Sequence, residues 1–225
     1  MTRSVLFDTE TTGLDPLAGH RIIEIAALEL LNDLPTGRHF HALIHPGRDI
    51  PEDAVRIHGI TLDRLAGKPR FAEMAEELLA FLGDARLVAH NAPFDFGFLD
   101  AELALLGRPA LDRARMVDTL ALAKARFPGL PNSLDALCRR FAIDLSERTT
   151  HNALLDCRLL AQVYVELTGG RQRGLSLARA AGAGLPEVSY ERVARTPRLI
   201  EPGEAERTAH AAFIARLKDP LWSTG

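Results

Sequence analysis

Two hydrophobic periods alternate over the first 170 residues of the chain and then fade. Apolar runs at residues 4–8, 22–31, 39–44, 87–89 and 114–117 have the length and turn boundaries of strands. Between and after them, apolar residues recurring every three or four positions predict helices over 71–82, 93–106, 119–125, 133–141 and 152–167. The second and third strands are expected to pair as a hairpin around Asp33-Leu34-Pro35-Thr36-Gly37. An early antiparallel hairpin followed by βα units implies an α/β class: a mixed five-stranded sheet flanked by helices. Gly169-Gly170 closes that pattern, so residues 1–170 are expected to form one domain. Residues 171–198, rich in Gly, Ala and Arg, are expected to be a flexible linker. A tail at 199–225 regains a three-and-four spacing at His210, Phe213, Ile214, Leu217 and Leu221, with Pro220 stopping any helix and the single tryptophan at Trp222.

Composition changes the picture little. With 225 residues and 47% hydrophobic content the chain can bury a sizeable core. No apolar run approaches the roughly 20 residues that span a bilayer, and Met1 leads almost directly into a strand, so a soluble, cytoplasmic protein with no membrane partner is expected. Cys138 and Cys157 sit inside apolar helical patterns without CxxC spacing and are expected to be buried thiols. The net charge of −3 is uneven: residues 171–225 hold nine Lys/Arg and six Asp/Glu, net +3, which leaves 18 minus 24, or −6, for residues 1–170. Tight non-specific binding to duplex nucleic acid is therefore not expected, and phosphates would need local cations.

The acidic part carries the candidate chemistry. A strand's period of two sends Leu6, Asp8 and Glu10 to one face. At about 4 Å two like charges repel by roughly 4 kcal/mol at an effective dielectric near 20, so the pair needs a cation or a shared proton. On its own this D-x-E permits a plainer reading, in which Asp8 opens a turn and Glu10 is solvated. Two helices repeat the anomaly. Asp156 falls on the apolar stripe of Leu160, Val163 and Leu167, and Asp95 lines up with Phe98, Leu99, Leu103 and Leu106, although Asp95 could also serve as a first-turn capping acid behind Asn91 and Pro93. Four carboxylates match two divalent cations, and hard oxygen ligands suit Mg²⁺ or Mn²⁺. Such a pair supports in-line attack on a phosphate ester. His151, five residues before Asp156, would lie about 140° from it on a continuous helix. It is therefore expected on a loop or frayed turn, free to take a proton from the attacking water.

The segments Phe7-Asp8-Thr9-Glu10-Thr11-Thr12-Gly13-Leu14, His90-Asn91-Ala92-Pro93-Phe94-Asp95 and His151-Asn152-Ala153-Leu154-Leu155-Asp156 resemble, in order, the three exonuclease motifs of the DEDD superfamily in its histidine variant. The resemblance implies a ribonuclease H-like fold and a two-metal 3′-to-5′ exonuclease, with Asp8, Glu10, Asp95 and Asp156 holding the metals and His151 as general base. Ile57-His58-Gly59-Ile60, the run from Phe127 to Cys138, and the ending Ala209-His210 through Leu221-Trp222 resemble the proofreading epsilon subunits of bacterial DNA polymerase III. That implies Thr12, Gly13 and Leu14 against the terminal nucleotide of a single-stranded 3′ end, beside the metal-holding Asp8, Glu10 and Asp156, with His58 and Asp53 lining the pocket. A turn with one apolar wedge suits a frayed end, because stacking needs no base code. At least two of Phe94, Phe96 and Phe98 are expected in the core, and Asn132-Ser133 is expected to cap a helix.

The tail resembles the segment that binds the polymerase alpha subunit, with Phe213, Ile214, Leu217, Leu221 and Trp222 as anchors; a tail folded back on its own domain is the alternative. Gln172 with Leu175 and Leu177 resembles a sliding-clamp peptide. Removal of mispaired nucleotides from DNA is thus the leading expectation. An RNA-directed exonuclease of the same superfamily and a non-catalytic polymerase scaffold are the others.

Overall fold

The computed structural model describes residues 2–146, 148, 150–169 and 201–218. The chain divides into two units, Met1–Ser176 and Leu177–Gly225. The first is built on strands β1 (Arg3–Thr11), β2 (Ile22–Leu31), β3 (Leu34–Leu43), β4 (Arg86–Ala89) and β5 (Met116–Asp118). They form one mixed sheet in the order β3-β2-β1-β4-β5, the first two pairings antiparallel and the last two parallel. Helices α1 (Glu52–His58), α2 (Phe71–Leu82), α3 (Ala92–Leu105), α4 (Thr119–Arg126), α5 (Leu134–Arg140) and α6 (Ala153–Leu167) complete this unit. The mixed five-stranded sheet is the one expected.

Because β1 is central, its side chains are buried on both faces, and alternation sorts them into two cores. Val5 and Phe7 pack with Leu78 of α2 and with Phe96 and Leu99 of α3. Leu6 packs on the opposite face with Leu137 of α5 and with Leu160 and Val163 of α6. Truncating Phe96 to Ala would cost about 3–5 kcal/mol through lost contacts and the cavity left behind. Cys138 and Cys157 are buried free thiols in the second core, as expected.

The hairpin differs from expectation. Its turn is Asn32-Asp33 alone, with φ of 51° and 65°, and Leu31 already pairs with Leu34. Two successive left-handed residues make the tight turn whose twist suits a hairpin, and Asn and Asp tolerate that conformation. Pro35 reads as a turn residue in sequence but sits in edge strand β3, where a missing N–H is harmless. Helix α1 had no counterpart among the expected elements; its seven residues are too few for a periodic signal. Gly59, at φ 71°, ends it by donating to the Val55 carbonyl. Residues 113–115 form a 3₁₀ turn, so the strand expected from Ala114 begins at Met116.

In the second unit, α7 (Glu204–Ile214) buries none of its residues, and the Gly203 N–H donates to Glu206 Oε2 at 2.9 Å. Phe213 is 56% exposed, Leu217 is exposed and Ile214 is half-buried. The expected anchors Leu221 and Trp222 and the expected clamp segment Gln172, Leu175 and Leu177 lie outside the described residues. Among the described residues no helix is long and apolar enough to cross a membrane.

Candidate active site

Strand β4 pairs with β1 only as far as Leu6, so the far end of β1 runs past it and borders an open cleft of about 600 Å³. Asp8 and Glu10 line that cleft from β1, and Asp95 enters it from the first turn of α3. Asp95 Oδ1 accepts hydrogen bonds from the Thr9 N–H at 3.1 Å and the Thr9 hydroxyl at 2.7 Å, which fixes α3 against the strand. The third side is the start of α6. Its N-cap is Asn152, whose side chain accepts from the Leu155 N–H, so the helix begins only at Ala153. His151 therefore precedes the helix, half exposed, and its Nδ1 comes within 3.4 Å of Asp156 Oδ2. Ligand atoms of Glu10, His151 and Asp156 all lie within 4.8 Å of one another, a group that could hold a metal ion.

The acids cannot share this space fully ionised. Burial, then the Asp95 and Glu10 carboxylates, push Asp8 well above its ordinary value. Burial raises Glu10 to about 8, against the attraction of His151 and with the repulsion of Asp156. Burial also raises Asp95 to about 7, despite its hydrogen bonds from Thr9. Asp156 behaves oppositely: burial pushes it up, but hydrogen bonds from Arg148 and His151 outweigh that and hold it low. The bond to Asp156 in turn raises His151 above 6.5. A pocket of carboxylate oxygens that resist losing their protons has the donor chemistry and the charge deficit that a hard divalent cation satisfies, so the residues fit Mg²⁺ or Mn²⁺.

Several residues that sequence reading did not single out shape the cleft. Glu24, opposite Glu10 in the β1–β2 register, is buried and accepts from Asn152 Nδ2 at 3.0 Å and the Ala153 N–H at 3.2 Å, with His41 Nε2 2.7 Å from the same carboxylate. It pins the start of α6, and with it His151 and Asp156. A Glu inside the apolar run of β2 was its only signal. The cap of α3 also differs from expectation. Asn91, at φ 69°, makes no side-chain cap, and Asp118 Oδ1 instead accepts from the Asn91 and Ala92 N–H groups. Ser133 caps α5 as expected, its hydroxyl accepting from the Ala136 N–H, while Asn132 Nδ2 donates to the carbonyls of Phe127 and Leu130.

Thr12 lines the cleft but is fully buried. Its hydroxyl accepts from the Arg21 N–H and meets His20 Nδ1 at 3.1 Å, and its own N–H is taken by the Arg21 carbonyl. The His20 ring lies so near Gly13 that a Cβ there would come within 2.4 Å, which excludes any larger residue without displacing the ring. Leu14, 81% exposed, projects from the rim. Asp53 lines the cleft at the start of α1 and is highly exposed, paired with Arg56. His58 is buried, its Nδ1 accepting from the Ile60 N–H at 2.9 Å, and burial lowers its pKa. Phe94 borders the cleft, whereas Phe96 and Phe98 are core residues, the division expected.

An exonuclease family model matches residues 5–164. The chain is 52% identical over 222 residues to a DNA polymerase III subunit epsilon of Rickettsia felis, covering 96% of each chain. It is 41% identical over 225 residues to that of Escherichia coli, covering 95% of this chain and 93% of the relative. Among solved structures, exonuclease X in complex with 5′ overhanging duplex DNA matches at 27% identity with a TM-score of 0.57, over 75% of this chain and 92% of that one. The nuclease domain of 3′hExo, a DEDDh family member bound to rAMP, matches at 19% identity with a TM-score of 0.63, over 74% of this chain and 91% of that one, and shows the shared ribonuclease H-like fold. With Asp8, Glu10, Asp95 and His151 lining one cleft and Asp156 beside Glu10 and His151, the chain belongs to the exonuclease family and, within it, to the epsilon subunits of bacterial DNA polymerase III.

Proposed function

We propose that this chain removes mispaired 3′-terminal nucleotides from DNA by two-metal hydrolysis, releasing nucleoside 5′-monophosphates, as the proofreading subunit of a replicative polymerase in the cytoplasm. The observation that carries this reading is the convergence of Asp8, Glu10, Asp95 and His151 on one cleft, with Asp156 beside Glu10 and His151. Asp8, Glu10, Asp95 and Asp156 would hold two Mg²⁺ or Mn²⁺ ions, which when bound supply an activated water and a stabilised leaving oxygen. His151 is the base: half exposed at the cleft edge, outside the helix that carries Asp156, it can approach the water on the scissile phosphate and pass the proton to solvent. Glu24 keeps that histidine in range by holding the first turn of α6. Leu14 is the apolar wedge for the terminal base; Gly13 lets the turn pass close to His20, and Thr12 holds the turn rather than the substrate. Asp53 and His58 form the opposite wall.

DNA as substrate is supported by the polymerase subunits among the relatives and by the DNA complex of exonuclease X. The RNA-directed alternative shares the same acids and base; the rAMP-bound 3′hExo, at 19% identity, supports the shared fold and not that substrate. The exposed Phe213 and Leu217, with Ile214, are the described part of the surface proposed to bind the polymerase alpha subunit, together with Leu221 and Trp222. Gln172, Leu175 and Leu177 are proposed for the clamp on sequence resemblance alone.

The test is hydrolysis of a primer-template with a mispaired 3′ end in Mg²⁺. Release of mononucleotides is expected, and His151→Ala should lose on the order of 10²- to 10⁴-fold in kcat while Mn²⁺ binding survives. Wild-type turnover in that variant would make the histidine structural. Removing residues 199–225 should leave nuclease activity intact and abolish co-purification with the polymerase; an inactive, unstable truncation would favour the folded-back tail.

A further inference from the structure

Arg148 lies between α5 and α6, its side chain 10% exposed, and its guanidinium is held by three groups. Nε donates to Asp156 Oδ1 at 2.7 Å and Nη2 to Asp156 Oδ2 at 2.8 Å, a two-pronged grip on both carboxylate oxygens. The same Nη2 lies 3.0 Å from His151 Nδ1. On the other side Nη1 donates to Asp135 Oδ1 at 2.5 Å, in the first turn of α5.

Two of those groups belong to the set that could hold a cation: Asp156 and His151 share it with Glu10. A guanidinium offers only donors, so each contact consumes a lone pair. The fork thus takes one lone pair on each Asp156 oxygen and brings a fixed positive charge to the carboxylate a metal would use. At His151 the consequence is a competition for Nδ1. Nδ1 also lies 3.4 Å from Asp156 Oδ2, so it can accept from Arg148 or donate its own proton to that carboxylate, but not both. In this position Arg148 therefore competes with a metal for Asp156 and with Asp156 for His151 Nδ1. Asp135, 37% exposed on the outer side, offers a place to withdraw to. A shallow pocket lined by Arg56, Asp135, Arg148, Thr150 and His151 leaves room for the movement.

We propose that Arg148 is a built-in counter-cation that stands in for the metal at Asp156 and His151, is displaced when a divalent ion binds, and is retained by Asp135. The proposal rests on the assignment of Glu10, His151 and Asp156 to the metal site. Arg148 acts through those groups, so it is a positioning residue with a role in metal loading.

Mn²⁺ titration of the full chain by calorimetry tests it, with folding checked by circular dichroism in chelator. Arg148→Gln should bind Mn²⁺ on the order of tenfold more tightly than wild type, because the competitor is gone. Asp135→Asn should bind it several-fold more weakly, because Arg148 loses the partner that draws it off. Opposite signs from two contacting residues are not what a merely structural pair would give. Should Arg148→Gln fail to fold, Arg148→Lys keeps the charge without the fork, and tighter Mn²⁺ binding than wild type is still expected. Weaker or equal binding in the folded Arg148 variant would overturn the proposal and make the arginine an orienting group for Asp156. Absence of Mn²⁺ binding by wild type would instead overturn the metal assignment itself, and the proposal with it.

Discussion

At one end of the β1–β2 pair, Glu29 is buried and bonded by Arg3 Nε at 2.8 Å, Arg38 Nη1 at 3.1 Å and the Thr36 hydroxyl at 2.9 Å. Its pKa is held low, first by Arg3. At the other end of the same pair Asp8 and Glu10 meet Asp95, no arginine among the described residues is hydrogen-bonded to any of the three, and all three are pushed up. The fold evidently can supply guanidinium partners for buried acids, since Arg21 also grips Glu102 with two bonds near the start of β2. Where it supplies none, retained protons or a bound cation must relieve the repulsion. Asp156, gripped by Arg148, stands between the two cases.

Exchanging charge for neutrality should separate the two ends. The largest effect is expected from Asp8→Asn and Glu10→Gln: on the order of 10³-fold loss in kcat, with a higher melting temperature in chelator because repulsion is relieved. Undiminished mononucleotide release, or a lower metal-free melting temperature in both, would break the contrast. Glu29→Ala should do the reverse, losing about 1–3 kcal/mol of stability by denaturant unfolding as Arg3 and Arg38 lose their partner, with normal turnover per folded molecule.

The smallest effect is one of pH. With unfolded values near 4.5 and 3.8, Glu10 at about 8 and Asp95 at about 7 keep protons that the unfolded chain has lost. The unfolded state then binds fewer protons than the folded one, so metal-free stability should fall as pH rises from about 6.5 to 8, by up to about 1.4 kcal/mol per pH unit for each retained proton. The raised His151 adds the same sign, while the lowered His58 and His90 act below about 6.5, where the unfolded histidines are charged. Thermal melts across that range should slope downward in chelator and flatten in saturating Mg²⁺. A flat metal-free profile would mean that the cleft acids are ordinary.

Much of this is legible in sequence because it is local. Period two in β1, the three-and-four spacing in α3 and α6, and acids set in those apolar faces are patterns within a dozen residues of one another. His151 is legible too, since 140° of helix rotation excludes it from the face of Asp156. The exceptions are short or non-local. Asn32-Asp33 is a turn through the backbone conformation of two residues beside a more conspicuous Pro35-Thr36-Gly37, and α1 is too brief to show a period. Glu24 reaches across 128 positions to Asn152. Thr12, expected against substrate, is drawn inward by His20 and Arg21.

The sequence alone determined the five strands and the helices other than α1, and which acids and which histidine stand out from them, because periodicity and burial cost act on neighbouring residues. Tertiary structure alone decided which acids receive an arginine and which face one another. That depends on side chains brought together from distant segments, and one guanidinium turned toward Asp156 rather than away from it reverses the meaning of the same carboxylate.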